Sequence, residues 1–137
     1  MKKIALLLVV VLIVASMSVL LFACTTKVAG KTYVLDSVEV TGDGATEAQI
    51  AYVKGQVEES YKNAELVFNK DGTMVVTVSG TEMMKNYYKQ DGKNIFVDET
   101  EDVKTEDVDP TFVVDGKKLV WTYKISSITV NMTLKLK

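Results

Sequence analysis

The chain has no histidine and no arginine, and only one cysteine and one proline among its 137 residues. The absence of histidine excludes His-based triads, Cys–His dyads and every zinc site that contains histidine. The absence of arginine excludes a bidentate clamp for phosphate or carboxylate. A single cysteine excludes an intramolecular disulfide.

The charge balance is slightly acidic, with 16 basic residues, all of them lysine, against 18 acidic residues. Nucleic-acid binding needs clustered basic side chains that neutralise phosphates, so we expect no nucleic-acid partner. No two of the acidic residues stand out as a catalytic pair. We therefore predict that the chain is not an enzyme and that it carries no cofactor and no metal.

The N-terminus begins with Lys2 and Lys3, which are followed by apolar or small residues from 4 to 23. A basic start, an apolar stretch and a small residue before the cleavage point are the parts of a secretory signal. About 20 apolar residues also suffice to span a bilayer, so a retained transmembrane anchor is the alternative.

The sequence Leu21-Phe22-Ala23-Cys24 favours the signal, because it resembles the bacterial lipobox. In that motif the cysteine receives a diacylglyceryl group and becomes the new N-terminus. The resemblance implies a signal peptide over 1–23, a lipidated tether over 24–29 and a palmitate-type lipid anchor on Cys24. It also implies export to the outer face of the cell membrane. Two or more acyl chains hold a protein there firmly.

One helix is predicted near the start of the mature chain. Thr46 and Gln49 have the spacing of a capping box. The apolar residues at 50, 53, 57 and 61 then recur on one helical face. Glu58 and Lys62 have the i,i+4 spacing of a favourable ion pair.

The remainder of the chain alternates apolar and polar residues, as in an antiparallel sheet with one packed face. The clearest run has Val130, Met132 and Leu134 on one face. Asp-Gly pairs at 71–72, 91–92 and 115–116 each precede a β-rich segment and predict hairpin turns. A one-residue slip in the alternation near Asp36 and Ser37 predicts a bulge.

These patterns predict a mainly β domain over 30–137, an eight-stranded antiparallel up-and-down barrel with one helix between strands 1 and 2. A sheet of that many strands tends to curl and close. Three segments, Gly30–Val38, Asn69–Thr73 and Asp115–Trp121, resemble the small lipocalin-like domains carried by exported lipoproteins of Gram-positive bacteria. The resemblance implies a monomeric barrel domain in the cell envelope.

An eight-stranded barrel is filled by its own side chains or holds one small ligand. The residues predicted to line a site for a small apolar ligand are Tyr33, Phe68, Tyr88, Phe96, Trp121 and Tyr123. Aromatic side chains also dominate ordinary cores, so core packing is the alternative for the same residues.

The segment 98–109 has seven carboxylates in twelve residues, the length of an EF-hand loop. The EF-hand register fails, because Thr100 takes the third position and Val103 the sixth, where glycine is needed. We interpret the segment as a solvated loop extended by self-repulsion, with Val103 and Val108 turned back toward the barrel. A weak, irregular calcium site is the alternative.

Three classes of function follow. The first is a lipid-anchored cell-surface lipoprotein whose lipocalin-like domain binds a small apolar ligand. The alternative is a structural or interaction lipoprotein with a filled barrel, and an enzyme is the third. An apolar cavity of about 300 Å³ or more would favour the first class. A packed interior with an exposed apolar patch would favour the second.

Overall fold

The computed structural model describes residues 25–137, so the predicted signal peptide and Cys24 lie outside the described residues. The elements are one helix and eight strands. In chain order they are β1 (Lys31–Gly42), α1 (Glu47–Tyr61), β2 (Ala64–Phe68), β3 (Thr73–Val78), β4 (Thr81–Asp91), β5 (Asn94–Asp98), β6 (Phe112–Asp115), β7 (Lys118–Ile125) and β8 (Ile128–Leu136).

The eight strands form a closed antiparallel barrel, which confirms the predicted fold class. Each strand pairs with the next along the chain, and β8 pairs with β1 to close the sheet. Val130, Met132 and Leu134 are each at most 1% exposed and belong to the core inside the barrel. The apolar residues of the alternating pattern therefore face the core, as predicted, because every second side chain of a strand points inward.

The predicted local irregularities are also present. The register between β1 and β8 shifts between Leu35 and Ser37, which is the predicted bulge. The three Asp-Gly pairs lie in hairpin turns, where Gly72, Gly92 and Gly116 have φ values of 90°, 59° and 62°. Glycine is favoured there because positive φ is strained for residues with a Cβ.

Helix α1 begins with the predicted capping box. The Thr46 hydroxyl accepts from the Gln49 backbone N–H at 3.2 Å, and the Gln49 side chain accepts from the Thr46 N–H at 2.9 Å. Val57 is buried against the barrel core. The expected Glu58–Lys62 ion pair is absent, because Lys62 lies at the C-cap and pairs with Glu59 at 2.6 Å.

Successive connections of the barrel alternate between its two ends. We call the end with residues 25–30 and the turns at 69–72, 92–93 and 116–117 the closed end. The open end carries α1 and the connections at 79–80, 99–111 and 126–127. Within residues 25–137, no helix combines the length and the apolar character needed to cross a membrane.

Residues 25–30 are bonded to the barrel at the closed end. The side chain of Gln90 accepts from the Val28 N–H at 3.0 Å and donates to the Thr26 carbonyl at 2.7 Å. The Thr26 hydroxyl donates to the Gly116 carbonyl at 2.8 Å. Val28 is fully buried. The part of the predicted tether from 26 to 28 therefore packs on the barrel.

Candidate functional site

The interior of the barrel contains an apolar cavity of about 220 Å³ on the side of the open end. It is bounded by one residue of α1 and by residues of strands β2 to β7 and the segment before β6. The lining residues are Tyr61, Leu66, Met74, Val76, Met84, Asn86, Val97, Thr111, Phe112 and Trp121.

The cavity lies beside the least paired part of the barrel wall, between β5 and β6. β5 has five residues and β6 has four, whereas β4 has eleven and β7 has eight. β5 and β6 share only two register pairs, Asn94 with Val113 and Ile95 with Phe112. Between the end of β5 at Asp98 and the start of β6 at Phe112, the chain forms the loop 99–111 and does not extend the sheet toward the open end. The wall between β4 and β7 is therefore incomplete toward the open end.

Aromatic rings fill the closed half of the barrel below the cavity. Phe68 makes edge-to-face contacts with Tyr33, Tyr88 and Phe112, with ring centroids 5.0–6.0 Å apart. Tyr33 and Phe68 are fully buried. Such pairs stabilise a core beyond the area they bury, so we assign these rings to core packing.

A second aromatic group forms one side of the cavity. The Trp121 ring lies 5.6 Å from that of Phe112 and 5.9 Å from that of Tyr61, which α1 supplies. Tyr123 lies 5.0 Å from Trp121 on its other side. Burial raises the pKa of Tyr61 and of Tyr123, so both phenols are neutral at ordinary pH.

The only side-chain amide in the lining belongs to Asn86. It donates to the Met84 sulfur at 3.3 Å, a weak interaction that leaves its oxygen free for another partner. No carboxylate and no lysine line the cavity. The lining also contains the hydroxyl groups of Tyr61 and Thr111. The arrangement suits an uncharged, mostly apolar group with few hydrogen-bonding atoms.

The six predicted ligand-binding residues are dispersed. Trp121 lines the cavity, and Tyr123 packs beside it. Tyr33 and Phe68 lie in the filled half, where the hydroxyl of Tyr88 donates to the Asn69 carbonyl at 2.7 Å.

Phe96 lies apart from the other five. It is buried but does not belong to the barrel core, because its neighbours Ile95 and Val97 occupy the inward positions of β5. It pairs with Lys89 across the sheet. Val103 of the acidic loop is buried, consistent with the predicted turn toward the barrel, although it lies outside the core cluster. The same prediction is wrong for Val108, which is 51% exposed.

Sequence reasoning missed most of the aliphatic part of the lining. Leu66, Met74, Val76 and Val97 are inward residues of ordinary alternating strands. The alternation of apolar and polar residues predicts that these side chains point into the barrel. Nothing in that alternation indicates that they border a cavity. The signal that could have located the void is the brevity of the apolar runs on both sides of segment 98–109.

A larger groove of about 580 Å³ lies outside the barrel, between the first turns of α1 and the β7–β8 turn. It is open to solvent, and small or polar residues such as Ala45, Ala48, Ser126 and Ser127 form much of it. Enclosure by apolar side chains is what gives a small ligand affinity, so the inner cavity is the better candidate.

The polar side-chain contacts of the acidic segment 98–109 are local. Lys104 pairs with Asp102, which holds the pKa of that carboxyl below its usual value. The Asp98 side chain accepts from the Thr100 N–H at 3.3 Å. In the part of the chain from 25 to 137, no three acidic side chains converge in an arrangement that could hold a metal ion.

No protein-family model and no curated protein matches the chain. A solved structure similar to it is the crystal structure of a DUF4847 family protein from Bacteroides vulgatus, at 10% sequence identity and a TM-score of 0.45. That alignment covers 77% of this chain and 92% of the other. The barrel assignment rests on the strand pairing of this chain and not on that likeness.

Proposed function

We propose that the chain is an exported lipoprotein, anchored to the outer face of the cell membrane through acyl chains on Cys24. Its lipocalin-like barrel receives the apolar end of a small ligand in the inner cavity. The observation that supports ligand binding is a partly open apolar cavity inside the barrel, which Trp121 and Tyr61 border on one side. No catalytic role is proposed, because the lining offers no carboxylate and no activated nucleophile.

The volume restricts what the cavity accepts. Sites for whole drug-sized molecules measure about 300–1,000 Å³, and a dry apolar cavity of about 150 Å³ already admits benzene. At about 220 Å³ this cavity is below that range and does not meet the volume expected for a site that takes a whole small ligand. It suits one ring or a short acyl segment. The remainder of a larger ligand would extend past Met84, a lining residue that is itself 52% exposed.

A structural or interaction role is the second candidate. Two observations favour it: the closed half of the barrel is filled by aromatic rings, and Met83 is 66% exposed beside the half-exposed Met84. Flexible methionine side chains on a surface adapt to the shape of partner proteins. Met83 and Met84 could therefore contact a partner protein without any small molecule.

Native mass spectrometry of the protein released in mild detergent from its own host tests both parts of the proposal. The mass of the chain reports cleavage and lipidation at Cys24. We expect an additional non-covalent adduct of one small apolar molecule per chain. The adduct should persist in Val75→Phe, a change on the opposite face of β3, and be lost in Val76→Phe, which fills the cavity.

Circular dichroism of both variants checks that the barrel remains folded. A lipidated chain without any adduct would overturn the proposal of ligand binding and would favour the structural or interaction role. An adduct that survives in folded Val76→Phe would place the ligand elsewhere, as in the outer groove. An uncleaved chain without acyl chains would overturn the anchor.

A further inference from the structure

The connections at the closed end carry an excess of positive charge. Residues 25–30, 69–72, 92–93 and 116–117 contain four lysines, all exposed, and a single acidic residue, Asp71. The lysines are Lys27, Lys70, Lys93 and Lys117. At the adjoining strand ends lie the lysines Lys31, Lys118 and Lys137 and the acidic residues Asp91 and Asp115. Lys137, which follows β8, pairs with Glu65. The acidic residues at the strand ends therefore do not cancel the positive charge of the connections.

The open end has the opposite charge. The helical connection 43–63 and the loop 99–111 together contain ten acidic residues and three lysines. The turns at 79–80 and 126–127 contain no charged residue. The barrel therefore has a basic end and an acidic end, although its described residues carry more acidic groups than lysines.

The closed end is also the end at which the chain enters the barrel. The Thr26 hydroxyl and carbonyl are both bonded to the barrel, at 2.8 Å and 2.7 Å. Cys24 is two residues before Thr26, and two residues span at most about 7 Å. The backbone of Cys24 is therefore within about 7 Å of Thr26, which is bonded to the closed end.

We propose that the closed end docks on the anionic headgroups of the membrane in which the chain is anchored, with Lys27, Lys70, Lys93 and Lys117 as the contacting groups. This inference rests on the lipid anchor of the proposed function. The potential of an anionic surface extends over a Debye length of about 8 Å, which a short tether places within reach. Each lysine near such a surface strengthens binding roughly fivefold.

The acidic open end is repelled by the same surface. Attraction at one end and repulsion at the other orient the barrel with its cavity facing away from the bilayer. The inner cavity would then receive its ligand from the exterior and not directly from the lipid phase.

The test is lysine acetylation of the mature lipidated protein on vesicles, with each site quantified by mass spectrometry. One set of vesicles contains phosphatidylcholine alone, and the other also contains phosphatidylglycerol. We expect phosphatidylglycerol to slow labelling severalfold at Lys27, Lys70, Lys93 and Lys117. Labelling at Lys54, Lys62 and Lys104 should stay unchanged, and high salt should remove the difference.

A charge-reversal set identifies the contacting groups, with Lys27 as the reporter. The triple variant K70E/K93E/K117E should lose the protection of Lys27 by phosphatidylglycerol. The matched variant K54E/K62E/K104E, at the open end, should retain it. Equal effects at both ends, or no effect on closed-end lysines in protein that floats with the vesicles, would overturn the docking. Protein that does not float at all would overturn the anchor, and the docking with it.

Discussion

Tyr33 places a hydroxyl group in the core without a partner. Its side chain is fully buried, and among residues 25–137 its oxygen is the one buried side-chain polar atom that lacks a hydrogen bond. Burial raises the pKa of Tyr33, so the group remains a neutral phenol. Leaving such a group unpaired costs about 1–3 kcal/mol, and the protein tolerates this cost because the ring packs against Phe68.

We expect Tyr33→Phe to raise the free energy of unfolding by about 1 kcal/mol, because the ring stays and the unpaired hydroxyl is removed. Tyr88→Phe is the matched control, since its hydroxyl donates to the Asn69 carbonyl at 2.7 Å. That change should lower the free energy of unfolding by about 1 kcal/mol. Urea unfolding followed by Trp121 fluorescence measures both. A loss of stability in Tyr33→Phe would contradict the assignment of an unpaired group.

Asp71, at the closed end, makes the stability of the fold depend on pH. Its carboxylate accepts from the Thr73 hydroxyl at 2.6 Å and from the Thr73 N–H at 3.0 Å, and these bonds hold the pKa of Asp71 below its usual value. A carboxyl whose pKa is lower in the folded state stabilises the fold above its unfolded pKa of about 4. This stabilisation is lost as the pH falls further, through the folded pKa.

Thr73→Val removes the hydroxyl bond and should therefore reduce the loss of stability between neutral pH and pH values below about 4. Thr73→Ser keeps a hydroxyl and should behave as the parent protein does. The measurement is the free energy of unfolding in urea across that pH range. If Thr73→Val and Thr73→Ser have the same slope against pH, the bond does not set the pKa of Asp71.

At the level of elements, α1 contains a residue that weakens it. Gly55 lies in the middle of the helix, and a Cβ added there would meet nothing within 4 Å. We expect Gly55→Ala to raise the free energy of unfolding by about 0.5–1 kcal/mol, since glycine is a poor helix former. Thermal unfolding monitored by circular dichroism measures the change.

Gly72→Ala is the contrasting substitution. Space is also available at Gly72, but its φ of 90° is strained for alanine. This variant should lose about 1–2 kcal/mol of stability. A gain in both variants would mean that backbone conformation does not distinguish the two sites.

The features that the sequence predicts correctly are those that depend on residues close together in the chain. Strands, hairpin turns and the capping box were predictable because each depends on neighbouring residues, such as the alternation from Val130 to Leu134. The sequence also contained evidence against Phe96 as a ligand contact. It lies between Ile95 and Val97, which the same period places inside the barrel.

The cavity was not predictable in the same way. It depends on β5 and β6 sharing only two pairs, and on how Tyr61 of α1 reaches Trp121 of β7. These are relations between segments far apart in the chain, and no local period encodes them. The run of carboxylates indicated a loop at 98–109, but not that the barrel wall would be incomplete beside it.

For the whole molecule, the hydrogen bonds that hold residues 25–30 fix how the incoming chain meets the barrel, and so where the barrel would lie relative to the proposed anchor on Cys24. The Gln90 side chain bonds to Val28, Thr26 and Gly92 at 2.7–3.0 Å, so one amide joins the incoming chain to the β4–β5 turn. Methionine at this position keeps the length of the side chain and removes these bonds. We expect the N-terminal segment of Gln90→Met to detach from the barrel while the eight strands remain paired.

Trypsin reports such detachment, because Lys27 is a cleavage site within the held segment. Cleavage after Lys27 separates the barrel from anything attached to Cys24. With the lipid anchor proposed above, trypsin should release the barrel from membranes severalfold faster in Gln90→Met than in the parent protein. Gln56→Met, a change on the exposed face of α1, is the matched substitution and should release it at the parental rate. Equal release from Gln90→Met and the parent would mean that the buried Val28 holds the segment without help from the amide.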